Sequence, residues 1–184
     1  MPSASQVILV DEQDQAIGTA EKLAAHQQAL LHRAFSIFIF HLGEQGYECL
    51  LQQRQLDKYH SGGLWTNTCC SHPAPDETVL AAAQRRLMEE MGMVAELVEI
   101  GCFHYTAALD NQLTENEMDH VLVGLVEDKT VQPNPTEAMS HRWLTLAELS
   151  TELDRHPHQF TAWFAQAWQH VQAAIQAGQS PFSD

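Results

Sequence analysis

The stretch Trp65-Thr66-Asn67-Thr68-Cys69-Cys70-Ser71-His72-Pro73 puts a thiol, Cys70, two residues from an imidazole, His72. In an extended segment running up to Pro73, Cys70 and His72 share a face and Cys69 points the other way. That arrangement suits either an acid/base pair or a metal held by the imidazole beside the thiol. A second cluster, Glu115-Asn116-Glu117, stands immediately before the apolar run Met118 to Val126. Alternation puts both carboxylates on one side, where they are either solvated acids of an acidic protein or a crowded pair that needs a cation or a shared proton. His26 and His32 add two imidazoles from a total of eleven histidines. With His72, Glu115 and Glu117 they make a five-ligand N/O set suited to Zn²⁺, Mn²⁺ or a related divalent ion, although spacing alone does not bring them together.

Arg86 and Glu90 are i, i+4 neighbours on an expected helix, so guanidinium and carboxylate face the same way, either as a surface salt bridge or toward a common ligand. Mg²⁺ between a carboxylate and substrate phosphates is the chemistry such a pair permits. Six of the nine Lys and Arg residues, namely Lys22, Arg33, Arg54, Lys58, Arg85 and Arg86, fall between positions 22 and 86. They are either scattered surface charges or one cationic pocket for a compact anion such as a diphosphate. The chain as a whole carries a formal charge of −15, which disfavours nucleic acid and anionic membrane as partners.

Several elements must position these groups. Val7 to Val10 reads as an edge strand, and Gly18 to Gln28 as a turn leading into an irregular polar segment. Ala34 to His41 is apolar on both faces, which implies a central covered strand, and Tyr47 to Arg54 returns from a turn at Gly43 to Gly46. After a loop, Leu56 to Gly63, and the segment Leu64 to Cys70, the run Pro73 to Glu77 announces a helix. Val79, Ala83, Leu87 and Met91 form its stripe and Gly92 its stop. Leu97 to Tyr105 and Met118 to Val126 read as strands. Thr145 and Glu148 form a capping box ahead of a short helix. Phe160, Trp163, Phe164, Ala167, Trp168, Val171 and Ile175 trace one face of a long C-terminal helix, on which Trp163 is a core residue. The expected fold is α+β, an α/β/α sandwich around a mixed sheet, as one domain over residues 1–184. With 184 residues and 45% hydrophobic content the chain can bury a full core. Four cysteines with an adjacent pair read as reduced thiols, and no start signal or 20-residue apolar run suggests export or a membrane span, so a cytoplasmic location is expected.

The run Glu77-x7-Arg85-x-Leu87-x-Glu89-Glu90-x-Gly92 resembles a degenerate Nudix box, G-x5-E-x7-R-E-U-x-E-E-x-G-U. Ser71 stands where the first Gly belongs, and Arg86 replaces the Glu after the Arg, removing a metal-binding carboxylate. Together with Leu31 to Ser36, Trp65 to Pro73 and Thr114 to Glu117, in order from about Val7 to Trp163, the set is similar to the type I isopentenyl-diphosphate delta-isomerases. The resemblance implies conversion of isopentenyl diphosphate into dimethylallyl diphosphate by adding one proton and removing another. It implies a catalytic cysteine at Cys70, a catalytic carboxylate at Glu117, a tyrosine assisting proton transfer at Tyr105 and an aromatic facing the cationic intermediate at Trp163. It also implies metal ligands at His26, His32, His72, Glu115 and Glu117, and a second, Mg²⁺-holding carboxylate at Glu90. The resemblance implies diphosphate contacts at Lys22, Arg54, Lys58 and Arg86, and a monomer with a small diphosphate substrate as its partner is expected. The alternative, a Nudix-type pyrophosphohydrolase, is disfavoured by Arg86.

Overall fold

A computed structural model describes residues 5–183. Its centre is β3 (His32–Gly43), whose residues from Ala34 to Phe40 are all buried, as the two-faced apolar run requires. β3 runs parallel to β8 (Thr114–Val126) over ten pairs, from His32↔Glu117 to His41↔Val126. β7 (Val98–Ala108) pairs antiparallel on the far side of β8. Along its other edge, β3 takes three partners in succession, the first being β1 (Gln6–Val10), whose Leu9 pairs with His32. β6 (Cys69–Ser71) pairs with Phe35 to Ile37, and β4 (Gly46–Arg54) pairs with Phe40 to Gly43. β4 also pairs with β5 (Trp65–Thr66) and β9 (Ala138–Thr145).

Where β6 and β4 part, side chains take over the ladder: the Asn67 amide donates to the Ile37 carbonyl (3.1 Å), and the Ile39 N–H donates to Thr68 Oγ1 (2.9 Å). Buried backbone groups left without strand partners need such replacements.

Two helices cover the sheet. On one face α2 (Val79–Met91) buries Leu87 and Met91 against Phe35, Ile37, Ile39 and Leu122. Leu87→Ala there would cost about 2–5 kcal/mol by the usual cavity cost. Thr78 caps its start and Gly92 ends it at φ 64°. A Cβ at Gly92 would also meet Gln132 at 2.8 Å, so both backbone and space demand glycine. On the other face α4 (Phe164–Gln176) packs Phe164, Trp168 and Val171 on Phe38, Phe40, Val121 and Val123. α3 (Leu146–Arg155) starts at the capping box of Thr145 and Glu148, as expected.

Three local expectations are corrected. Gly18 to Gln28 is not irregular: β2 (Ala16–Glu21) pairs with β1 (Gln6–Val10), and α1 (Lys22–Gln27) follows, capped by Glu21. The β1–β2 tip is pinned to the sheet because Arg33 bonds Asp14, and His120 lies between Asp14 (2.8 Å) and Glu99 (2.5 Å). Glu115 to Glu117 lie inside β8 rather than ahead of it. Trp163 precedes the C-terminal helix instead of riding on its face: after a short turn at Pro157–Gln159 it forms the N-cap of α4.

Candidate active site

A cavity opens at the His32 end of β3, with β6 on one side and β8 on the other, so Cys70 and Glu117 reach it from strands flanking the same central strand. Lys22, Arg54, Lys58, Arg86, His72, Glu90, Glu115 and Trp163 share its lining. Cys70 lines it while Cys69 is fully buried against the α2 core, as alternation along an extended segment requires.

His26, on α1, and His32, on β3, are fully buried. His26 Nδ1–H donates to the Lys22 carbonyl (2.7 Å) and His32 Nδ1–H to that of Leu30 (2.8 Å). A carbonyl only accepts, so each ring keeps its proton on Nδ1 and presents an Nε2 lone pair to the interior. His32 Nε2 stands 3.3 Å and His72 Nε2 3.0 Å from Glu117 Oε1, and His26 Nε2 is 3.4 Å from Glu115 Oε2. Donor atoms of His26, His32, His72 and Glu117 all lie within 4.8 Å of one another. His26 Nε2, His32 Nε2 and Glu115 Oε2 are buried without hydrogen-bond partners. The group His26, His32, His72 and Glu117, with two of its imidazole nitrogens orphaned, fits a divalent cation of Zn²⁺ or Mn²⁺ type, while Glu115 falls in a neighbouring group with His26 and His60.

Charges interact strongly here. Burial alone would depress His32, but its hydrogen bond to Glu117 raises it overall. Burial and the neighbouring His32 and His26 hold His72 well below the usual imidazole range. Burial and the Glu117 charge raise the Glu115 carboxyl. Desolvation pushes the Cys70 thiol up to about 12, against the pull of Arg54.

Of the six clustered basic residues, four converge on the cavity. Arg33 and Arg85 do not: the first binds Asp14, the second Glu77 and Glu89 on the outer surface. Burial, and then the neighbouring Lys58, pull the Lys22 ammonium below its ordinary range. Glu90 accepts from Arg86 (2.5 Å) and from Gln52 (3.0 Å). Glu137 ties Lys58 to Arg86.

Tyr105 pairs directly across from Glu117 on β7, 3% exposed and outside the cavity lining; its hydroxyl has no partner. Trp163 is 4% exposed, with Arg54 5.5 Å from its ring centroid.

Sequence reasoning missed Tyr59, His60, Asn67 and Glu137. His60 Nε2 is 3.2 Å from Glu115 Oε1, and burial pulls this imidazole down to about 3. Lys22 Nζ sits 4.9 Å from the Tyr59 ring centroid. For Tyr59, His60 and Asn67 the only available signal was their place in the polar loop after Lys58 and in the Cys70 segment, and for Glu137 there was none.

The NUDIX domain family matches residues 30–164, and this, with the sandwiched mixed sheet, defines the class of protein: a NUDIX domain. DR0079 from Deinococcus radiodurans shares that fold with a TM-score of 0.68 and 20% identity, over 91% of this chain and 98% of that one. The NUDIX domain of Shewanella oneidensis NrtR, solved with ADP ribose, aligns with a TM-score of 0.62 at 15% identity, over 79% and 87% of the two chains. Within the class the chain belongs to the isopentenyl-diphosphate Delta-isomerase family. It is 51% identical to the Photobacterium profundum isomerase over 168 residues, 90% of this chain and 93% of that protein. It is 54% identical to that of Serratia proteamaculans over 158 residues, 86% of each.

Proposed function

We propose that the chain isomerises isopentenyl diphosphate to dimethylallyl diphosphate, with Cys70 and Glu117 as the proton-transferring pair. The observation that carries this reading is one cavity that takes the Cys70 thiol from one strand flanking β3, the Glu117 carboxylate from the other and four converging basic side chains. Lys22, Arg54, Lys58 and Arg86 bind the diphosphate, which stays intact and serves as the handle that positions a featureless hydrocarbon. Cys70 gives its proton to the terminal alkene carbon. The resulting tertiary cation forms in a site closed by Trp163 and Tyr59, and the Trp163 π face stabilises it. Glu117 removes a proton from the carbon next to the diphosphate-bearing one, the C–H pair becomes the new double bond, and the thiolate and carboxylic acid then exchange their proton through solvent. Tyr105 assists at Glu117.

His26, His32, His72, Glu115 and Glu117 would hold one Zn²⁺ or Mn²⁺, and Glu90 a Mg²⁺ shared with the diphosphate. Such cations would neutralise the crowded carboxylates and the substrate phosphates. The reading treats residues 1–184 as one domain acting as a cytoplasmic monomer. All four cysteines are unpaired, which suits a reducing compartment, and among the described residues no helix is long and apolar enough to cross a membrane. Incubation with isopentenyl diphosphate and Mg²⁺ should yield the isomer without free phosphate. Phosphate release without isomer would favour a pyrophosphohydrolase instead.

A further inference from the structure

The Cys70 thiol and the Trp163 indole meet at a third residue. Cys70 Sγ–H donates to Asn67 Oδ1 (3.2 Å), and Trp163 Nε1–H donates to the same oxygen (3.3 Å). The Thr66 hydroxyl also donates to it (2.9 Å) and in turn bonds the Thr161 hydroxyl (2.9 Å) just upstream of Trp163. On its other side the Asn67 amide nitrogen donates to the Ile37 carbonyl (3.1 Å) and the Cys69 carbonyl (2.8 Å).

The orientation of this amide is fixed by chemistry. An indole N–H can only donate and a backbone carbonyl can only accept, so the oxygen must face Trp163 and the nitrogen must face Ile37 and Cys69. Aspartate would lack the donors for the carbonyls, and serine or threonine would lack the reach to serve both sides. Asn67 is fully buried, so all these bonds are shielded from water. Because thiol and indole bind one atom, they cannot stand more than about 6.5 Å apart, and the indole cannot turn without losing that partner; Thr66 Oγ1, itself bonded to Asn67, stands 3.7 Å from the same thiol.

We infer that Asn67 is a positioning residue that holds the proton-donating thiol and the cation-stabilising indole in one fixed relation through its side-chain oxygen. The inference rests on the proposed roles of Cys70 and Trp163. It adds that a buried amide, touching neither the diphosphate nor the proposed metal ligands, sets their mutual geometry. Misplacing reacting groups by about 1 Å is enough to cost about 100-fold in rate.

Asn67 also repairs the β3 ladder, so its loss affects stability too. Thr68→Val provides the matched control. Thr68 Oγ1 bonds the Ile39 N–H and the Leu50 carbonyl (2.7 Å), repairs the same gap and touches neither catalytic group. The test compares Asn67→Ala, Thr68→Val and Cys70→Ala for kcat, KM for isopentenyl diphosphate and melting temperature. A second readout is the ¹⁹F resonance of Trp163 in protein carrying 5-fluorotryptophan, assigned by its loss in Trp163→Phe.

The expected result is a fall of about 100-fold in kcat for Asn67→Ala with KM nearly unchanged and a shifted Trp163 resonance. Thr68→Val should lose comparable stability but keep kcat and the resonance. If both variants lose activity in proportion to lost stability, or if the resonance shifts in Asn67→Ala with kcat unchanged, the inference is overturned. If Cys70→Ala alone remains fully active, the proposed proton donor fails instead, and the resonance still reports whether Asn67 holds the indole.

Discussion

Adjacent cysteines offer a sharp test because the fold gives them opposite surroundings. Cys69 is fully buried among Phe35, Ile37 and Leu87 on the α2 side, while Cys70 faces the cavity and donates to Asn67. Replacing Cys69 by Ala removes one sulfur from a packed core. Since Leu→Ala costs about 2–5 kcal/mol, this smaller deletion should cost about 1 kcal/mol. For a chain of this size that is a drop of about 2–4 °C in Tm.

Cys70→Ala removes the group proposed to protonate the alkene. Burial holds that thiol at about 12, so it is protonated at neutral pH, the form an acid needs. A positioned general acid contributes about 10²–10⁴ in rate, and at about 1.36 kcal/mol per tenfold its loss adds roughly 3–5 kcal/mol to the barrier. Proton NMR of the isomer formed, with Tm by circular dichroism, separates the two effects. Cys69→Ala should keep most of its activity at a slightly lower Tm, and Cys70→Ala should keep its Tm and lose activity. Equal activity losses in two folded variants would refute the assignment of roles to the two faces.

Metal analysis of purified protein equilibrated with Zn²⁺ or Mn²⁺ should find one tightly held ion, weakened by about 10–100-fold or more in His32→Ala and His72→Ala; full retention in both would contradict a shared site. Trp163→Phe should lower kcat by about tenfold, given that the cation–π difference lies under roughly 2 kcal/mol, with little change in KM; a fully active variant would return Trp163 to a packing role. Arg85 bonds both carboxylate oxygens of Glu77 at 2.8 Å and holds that carboxyl below its usual value. As Arg85 is partly exposed, solvent screening limits the pair to about 0.5–1 kcal/mol. A carboxyl depressed in the folded state stabilises above its unfolded value of 4.5, and that stabilisation is lost as pH falls through the folded value. Wild type should therefore outlast Arg85→Gln thermally at pH 7, with the gap closing below pH 4.5; a gap that widens in acid would contradict the pairing.

The elements legible from sequence were those with a strong period or a strong stop. β3 and β8 carry apolar residues on both faces because they lie inside the sheet, and α2 ends at a glycine whose left-handed φ no side chain tolerates cheaply. β2 escaped because it is an exposed edge strand, with no buried face to impose alternation. α1 escaped because six residues with only Ala25 and His26 buried make no stripe, so the place of His26 was unreadable although its residue type was suggestive. Glu115 and Glu117 broke the apolar pattern of β8 because the strand enters a polar cavity, and the start of the strand was misplaced there. At Trp163 helical spacing continues upstream of the helix itself, a coincidence that only the turn at Pro157–Gln159 reveals. Asn67 and Thr68 repair a gap between two strands, and Glu137 joins Lys58 to Arg86 from 79 positions away, relations that no local period records.

Isomerisation in D₂O tests the central claim most directly. Thiol protons exchange with solvent, so a Cys70 that adds its proton to the terminal alkene carbon must deliver deuterium there. Mass spectrometry and NMR of the first-turnover product should find dimethylallyl diphosphate with one deuterium in the newly formed methyl group, none of it in Cys70→Ala, and the diphosphate intact. Product formed without deuterium would mean that hydrogen moves within the substrate, and the account of a thiol donor and a carboxylate acceptor would be contradicted.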